Sequence, residues 1–312
     1  MFDVFSATLS PMLVMFLCIV VGFILNKKKL CPENTTTVLS KLETYVLCPA
    51  LNLITFSQHC TPESLSENYD LLIYAVIVTT LAISLSYLLA PLFAKKGYIR
   101  NVYKYALAFA NCGFMGNAIV PAILGTDALY PYMLFTLPPV FAIYTWGLFI
   151  LIPKGEKSNP LKNLLNPPMI AVAIGMFLGL SGLNAHLPAF IADTMSSLSA
   201  CMGPIAMVLT GFVIGNYSLK AMISDKKIYI ASALRLLILP AIFIGIFILL
   251  GASSTVVTMC FFAFATPLGL NTVVFPAAYG GDTATGAAMA TISHVICVIT
   301  MPVMYALLTL FI

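Results

Sequence analysis

The sequence predicts an all-α polytopic membrane protein of ten transmembrane helices, built as two inverted five-helix repeats with broken, crossing helices 4 and 9. Three observations carry this reading. Hydrophobic residues make up 61% of the 312 positions and charged residues 8%, with a mean hydropathy of +1.02, whereas soluble domains carry about a quarter charged residues. Apolar runs of about 20 residues, the length that crosses a bilayer, occur ten times. One stretch occurs twice: FANCGFMGNAIVPAILGTD from Phe109 and FATPLGLNTVVFPAAYGGD from Phe264, in register at a shift of 155 residues. Phe109, Ala110, Pro121, Ala122, Gly125 and Asp127 match Phe264, Ala265, Pro276, Ala277, Gly280 and Asp282.

In chain order the spans are 6–26, 37–57, 70–93, 102–124, 129–152, 167–183, 195–216, 228–250, 255–278 and 284–310. The first is a span rather than a cleaved signal, because Asp3 precedes a long apolar run that Lys27, Lys28 and Lys29 close. Residues 1–152 form the first repeat, 153–166 a cytoplasmic linker, and 167–312 the second repeat. Pro49 in span 2 and Pro204 in span 7 match at the same shift of 155.

Orientation follows from the cations. Lys27, Lys28, Lys29 and Lys41 flank the first connection, and Lys95, Lys96, Arg100 and Lys104 the third. Lys154, Lys157 and Lys162 lie on the fifth, and Lys220, Lys226 and Lys227 on the seventh. Of the 15 Lys and Arg residues only Arg235 lies off these odd-numbered connections. The positive-inside bias places them in the cytoplasm and both termini outside. Five spans per half is an odd number, so the second half crosses in the opposite sense.

The repeated stretch is where chemistry is expected. Span 4 holds Asn111, Gly113, Gly116, Asn117 and Pro121 within eleven residues, and span 9 holds Pro267, Gly269, Asn271, Thr272 and Pro276. Proline removes a helix donor and clashes with the preceding turn, which places the span-4 break near Asn117. Freed backbone groups survive in a bilayer only inside protein or along a cavity. Either span alone reads as a kinked helix with Gly packing faces and interhelical Asn bonds. Their recurrence in both halves points instead to a transporter binding site. Half-helix N-termini meeting there favour an anion.

Ionisable groups inside the spans are few. Arg235 is a candidate counter-charge, or an arginine that snorkels to the cytoplasmic face. His294 is a candidate proton-responsive gate, or a core histidine. Glu43 reads as an interfacial partner of Lys41, and Asp127 and Asp282 as caps of the next spans. Neither break holds an acidic residue, which argues against an Asp-pair antiporter. No phosphate-binding loop, HExxH or GxSxG motif occurs, so neither ATP hydrolysis nor intramembrane enzyme activity is expected. The eight cysteines show no metal-ligand spacing and read as small hydrophobes. No cofactor, bound metal or nucleic-acid partner is expected.

With these residues in hand, the chain resembles the auxin efflux carrier family, whose bacterial members are related to the plant PIN auxin transporters. The likeness runs from Asn111-Cys112-Gly113-Phe114-Met115-Gly116 in the first half to Pro267, Asn271-Thr272-Val273 and Tyr279-Gly280-Gly281-Asp282 in the second. Where the family commonly has Pro, two residues after Gly116, this chain has Ala118. The resemblance implies a scaffold of spans 1, 2, 6 and 7, and a moving unit of spans 3–5 and 8–10. It also implies a homodimer, an elevator cycle in the cell membrane, and a small organic anion as substrate, such as auxin in plants or dicarboxylates in some bacteria. Asn111 and Asn271 become its expected polar contacts, with Pro121, Pro267 and Pro276 shaping the breaks. The coupling ion stays open between H+, Na+ and none. Rival readings are a sodium-coupled bile-acid-type symporter, with oxygen ligands from Asn111, Asn117, Thr266 and Asn271, and a ligand sensor that transports nothing.

Overall fold

The computed structural model describes residues 1–152, 163–278 and 281–312. The described residues form helices joined by turns and irregular links, with one isolated antiparallel bridge between Ala110 and Leu268 and no strand among them. The expected linker at 153–166, with Lys154, Lys157 and Lys162, lies mostly outside the described residues, as do Tyr279 and Gly280 of the repeated stretch.

Twelve principal helices order the described residues. They are α1 (Phe2–Lys27), α2 (35–59), α3 (Tyr69–Phe93), α4 (Tyr98–Ala108), α5 (Cys112–Leu124) and α6 (Thr126–Leu151). The second half supplies α7 (Pro167–Ser181), α8 (Ala189–Gly215), α9 (Lys226–Leu249), α10 (Ser254–Ala265), α11 (Asn271–Ala278) and α12 (Ala284–Leu308). Six of these, α1, α3, α6, α8, α9 and α12, are long and apolar enough to cross a membrane. The other expected spans differ in an instructive way. Span 6 is the 15-residue α7. Span 2 is α2, whose apolar run is diluted by Lys41, Glu43 and Asn52. Spans 4 and 9 are each two short helices, α4 with α5 and α10 with α11.

The breaks do not both fall where proline alone would put them. Pro121 was expected to shape the first one near Asn117, yet it lies inside α5, and so does Pro276 inside α11. The chain leaves the helix instead at Phe109, which is extended (φ −121°, ψ 143°), and at Thr266 (φ −68°, ψ 155°). At Thr266 the cause is local, because the residue before a proline is pushed out of the helical region, and Pro267 follows. At Phe109 the cause is tertiary: the two breaks meet there, as described below.

Four helices carry a π turn: Glu43–Leu47 in α2, Cys112–Gly116 in α5, Ile143–Gly147 in α6 and Leu234–Ile238 in α9. Two of them stand just before a proline, Pro49 and Pro240. There the widened turn accommodates the ring and the donor it lacks. Glu43 sits in the first of these turns, fully buried, and neither carboxylate oxygen has a hydrogen-bond partner among the described residues. The expected pairing with Lys41 is therefore absent. Lys41 is exposed while the π turn rotates Glu43 inward.

Packing groups the helices in two sets. α1 lies along α8 and α2 along α7, with α2 also touching α8. In the other set α3 packs on α4 and α6, and α9 on α10 and α12, while α12 also meets α1. Hydrophobicity cannot drive helix association in lipid, so close backbone approach at small residues does much of it. The α1–α8 contact shows this: a Cβ on Gly22 would sit 2.0 Å from Val208 O, and one on Gly211 2.0 Å from Ile19 O. At the C-terminal ends of these two helices Asn26 donates to Asn216 Oδ1 (2.9 Å) and Lys27 to the Tyr217 carbonyl (2.9 Å).

This contact makes a contrast that melting curves in detergent can check. Gly211→Val should force α1 and α8 apart and cost at least the 1–3 kcal/mol or so typical of overpacking. Gly245→Val in α9, where a Cβ meets nothing within 4 Å, should leave the midpoint unchanged. Equal midpoints for both variants would show that the backbones do not touch.

Candidate functional site

The site is built where the two non-helical segments cross. Asn111 N–H donates to Pro267 O at 2.7 Å, and the Asn111 carbonyl accepts from Met115 N (3.2 Å) and Gly116 N (3.1 Å). The Asn111 backbone is thereby fully used. Opposite it, Leu268 N–H donates to Ser293 Oγ of α12 at 3.0 Å, and a Cβ on Gly269 would just reach van der Waals contact with Ala110 O at 3.4 Å. In a medium without water each of these groups would otherwise be left unpaired.

Neighbouring helices tie down the ends of the half-helices. Tyr132 of α6 donates to the Cys112 carbonyl at 2.8 Å. Arg235, in the π turn of α9, donates through Nη1 to the Phe264 carbonyl at 2.6 Å and lies over the Phe264 ring at 5.5 Å. It does not snorkel: the side chain is fully buried, and Nε and Nη2 have no partner among the described residues. A cation at the C-terminal end of a helix meets orphan carbonyls and the negative end of the dipole. Arg235 does this for α10. Cys297 of α12 adds a weak contact to Ala265 O at 3.6 Å.

The two N-terminal ends differ. In α11, Thr272, Val273 and Val274 N–H are taken by the carbonyls of Gly269 and Leu270. In α5 the first turn is a π turn, and its earliest N–H groups, at Cys112, Gly113 and Phe114, have no acceptor within their own helix. They stand beside a cavity of about 100 Å³. Asn111, Gly113, Asn117, Gly269 and Asn271 line it from the crossing, Thr136 and Tyr144 from α6, Cys48, Asn52 and Phe56 from α2, and Pro168 and Met169 from α7. No charged side chain is among its lining residues.

Four of the expected contacts, Asn111, Gly113, Asn117 and Asn271, are thus brought together at the cavity. Asn271 Nδ2 donates to the buried Tyr105 hydroxyl at 2.9 Å, and Asn117 Oδ1 is buried without a partner among the described residues. The other expected residues stand behind them. Gly116 faces Tyr132, Thr272 Oγ1 donates to Gly269 O at 3.0 Å, and Pro267 supplies the carbonyl that Asn111 takes. Pro121 and Pro276 lie within their helices, away from the cavity. His294 touches Asn111 from behind, its Nε2 3.4 Å from Asn111 Nδ2, and its Nδ1 is 2.7 Å from Ala290 O. Asn52, Tyr105, Thr136 and Tyr144 were not anticipated. Asn52 gave a signal, being an amide three residues after Pro49 in an apolar run; its Nδ2 donates to Pro168 O at 2.9 Å.

The family model described as "Membrane transport protein" matches residues 7–305, almost the whole chain. The chain belongs to this family. It includes the auxin efflux carriers, so the resemblance stated from the repeated stretch holds, and the protein is a membrane transporter. Among curated proteins, a search found no match. In this transporter the crossing and its cavity put a polar floor in an otherwise apolar bundle.

The floor's rigidity can be checked through Gly116, where a Cβ would lie 1.8 Å from Tyr132 Oη. Gly116→Ala should expel that hydroxyl, orphan the Cys112 carbonyl and cost about 1–3 kcal/mol. In a Tyr132→Phe background the same change should cost less, because the clashing atom is gone. Additive costs in the double-mutant cycle would contradict this contact.

Proposed function

We propose that this transporter is a secondary carrier for a small organic anion, a carboxylate, which binds in the cavity at the helix crossing. The observation that carries the reading is the open N-terminal turn of α5 beside a cavity free of carboxylates. N–H groups without a carbonyl in their own helix, and about half a positive charge at a helix start, favour an anion, and no lining acid opposes it. Arg235, already engaged with Phe264 O, is not needed as counter-charge. A volume near 100 Å³ suits a carboxylate group with a few carbons.

The cavity lies between the two helix sets, with α2 and α7 on one side and α5, α6 and the α10–α11 link on the other. This supports the finer reading of ten spans as two inverted repeats, of which 4 and 9 are broken. It also supports a fixed set of α1, α2, α7 and α8, and a moving set of α3–α6 and α9–α12 that carries the crossing in an elevator-type cycle. The cation asymmetry supports cytoplasmic odd-numbered connections in the cell membrane and both termini outside. A sodium ion is the rival occupant, favoured by two buried oxygens without partners, Asn117 Oδ1 and Thr266 Oγ1.

Counterflow in proteoliposomes loaded with propionate, succinate or indole-3-acetate tests the carrier reading, with and without sodium. We expect labelled acid to accumulate above protein-free vesicles without a sodium requirement. Gly113→Leu, which puts a side chain where nothing lies within 4 Å, should fold normally and abolish it. Asn111→Ala and Asn271→Ala should each weaken binding about tenfold or more, as for a lost hydrogen bond to a charge. Binding of an acid without any counterflow would favour a sensor; normal transport by both Asn variants would move the site elsewhere. An impermeant thiol reagent should label a cysteine at Glu63 from outside and one at Lys157 only from the cytoplasmic face.

A further inference from the structure

We propose that His294 couples anion binding to proton uptake by setting which end of the Asn111 amide faces the cavity. The inference rests on the reading of that cavity as a carboxylate site and adds the ion that travels with the carboxylate.

Ala290 O can only accept, so His294 Nδ1, 2.7 Å away, carries a hydrogen and donates it. In a neutral imidazole the other nitrogen, Nε2, is then an acceptor. Its neighbour at 3.4 Å is Asn111 Nδ2, which donates to it. With Nδ2 turned toward His294, the carbonyl end of the Asn111 amide is left for the cavity. Asn117, which also lines the cavity, has a buried Oδ1 without a partner among the described residues, and Asn271 has spent one amide hydrogen on Tyr105. A floor of amide oxygens suits a donor and repels a carboxylate.

One proton reverses this. Taken from solvent onto Nε2, it makes the ring an imidazolium that donates from both nitrogens, and Nδ1–H stays on Ala290 O. Nε2–H then needs an acceptor, and the Asn111 amide supplies Oδ1 by turning half a revolution about its terminal bond. Oxygen and NH2 exchange places with little change of shape. Nothing else moves, because the Asn111 N–H and C=O are held by Pro267, Met115 and Gly116. The NH2 group now faces the cavity and donates to a carboxylate beside the N–H groups of α5.

The surroundings make the two events depend on one another. α12 packs against α1, α4, α8, α9, α10, α11 and the short helix Leu219–Met222. The buried titratable or charged groups these elements bring are Arg235 of α9, Tyr103 and Tyr105 of α4 and Cys260 of α10; Cys112 of the crossing and Cys297 of α12 itself complete the set. None is a carboxylate, and the remaining charged residues on these elements are exposed or half-buried. An imidazolium in these surroundings thus lacks a counter-ion until an anion enters, and the anion lacks a donor until the proton arrives. Linkage makes the effect reciprocal.

Titration calorimetry on the protein in detergent tests this with propionate and ethanesulfonate, both singly charged between about pH 6 and pH 8. Buffers of different ionisation heat count the protons. We expect uptake approaching one proton per anion near the upper end, and affinity for both anions about tenfold higher at the lower end. His294→Gln, whose amide cannot titrate but can donate or accept, should bind with no uptake and a flat profile. Binding by wild type without uptake, or a slope that survives in His294→Gln, would overturn the coupling while leaving the anion site intact. Binding of methyl propionate but of neither anion at any pH would remove the anion site and the coupling together.

Discussion

Two stretches of backbone must leave the helix in the middle of an apolar protein, and the rest of the structure answers that requirement. An amide buried without a partner costs several kcal/mol in hydrocarbon. The two breaks solve part of the problem for each other, through Asn111 N–H and Pro267 O at 2.7 Å. The remainder falls to three flanking helices. α12 gives Ser293 to Leu268 N–H, α6 gives Tyr132 to Cys112 O, and α9 gives Arg235 to Phe264 O. These bonds explain why a chain so poor in polar residues keeps them where it does.

The same accounting leaves one end unequal to the others. The C-terminal end of α10 is met by a guanidinium, and the N-terminal turn of α11 by its own preceding carbonyls. At α5 a π turn spends the Asn111 carbonyl on Met115 and Gly116, and the three earlier N–H groups find no carbonyl in their own helix and stand beside a cavity. The repeat is thus symmetric in sequence and asymmetric in chemistry. The position matching Arg235 by the shift of 155 is Thr80, which donates to Val76 O in its own helix.

What the sequence could show follows from the range of each effect. Pro267 acts on the residue before it, so the end of α10 was legible, as were the repeated stretch and the amides Asn111 and Asn271. Pro121 acts locally too and misled, because α5 tolerates it and the first break is fixed by contact with a segment more than 150 residues away. Glu43 was expected at the membrane interface, and Arg235 was left open between a counter-charge and a snorkelling side chain. The π turns that rotate them inward sit before Pro49 and Pro240, a cue available one turn downstream. Asn52, Tyr105 and Tyr144 reach the crossing from three other helices, and that convergence has no local signature.

The central claim is that the crossing binds the transported solute. In a protein whose native cysteines are replaced by Ser, Gly113→Cys places a thiol on the cavity wall, and Gly245→Cys places one where a Cβ meets nothing within 4 Å. The rate of alkylation by a small maleimide, measured with and without saturating substrate acid, decides the matter most directly. The account predicts that the acid slows alkylation at position 113 by about tenfold or more, as expected for a site that is mostly occupied, and leaves position 245 unchanged. An unaltered rate at position 113, with the acid shown by calorimetry to be bound, would contradict it.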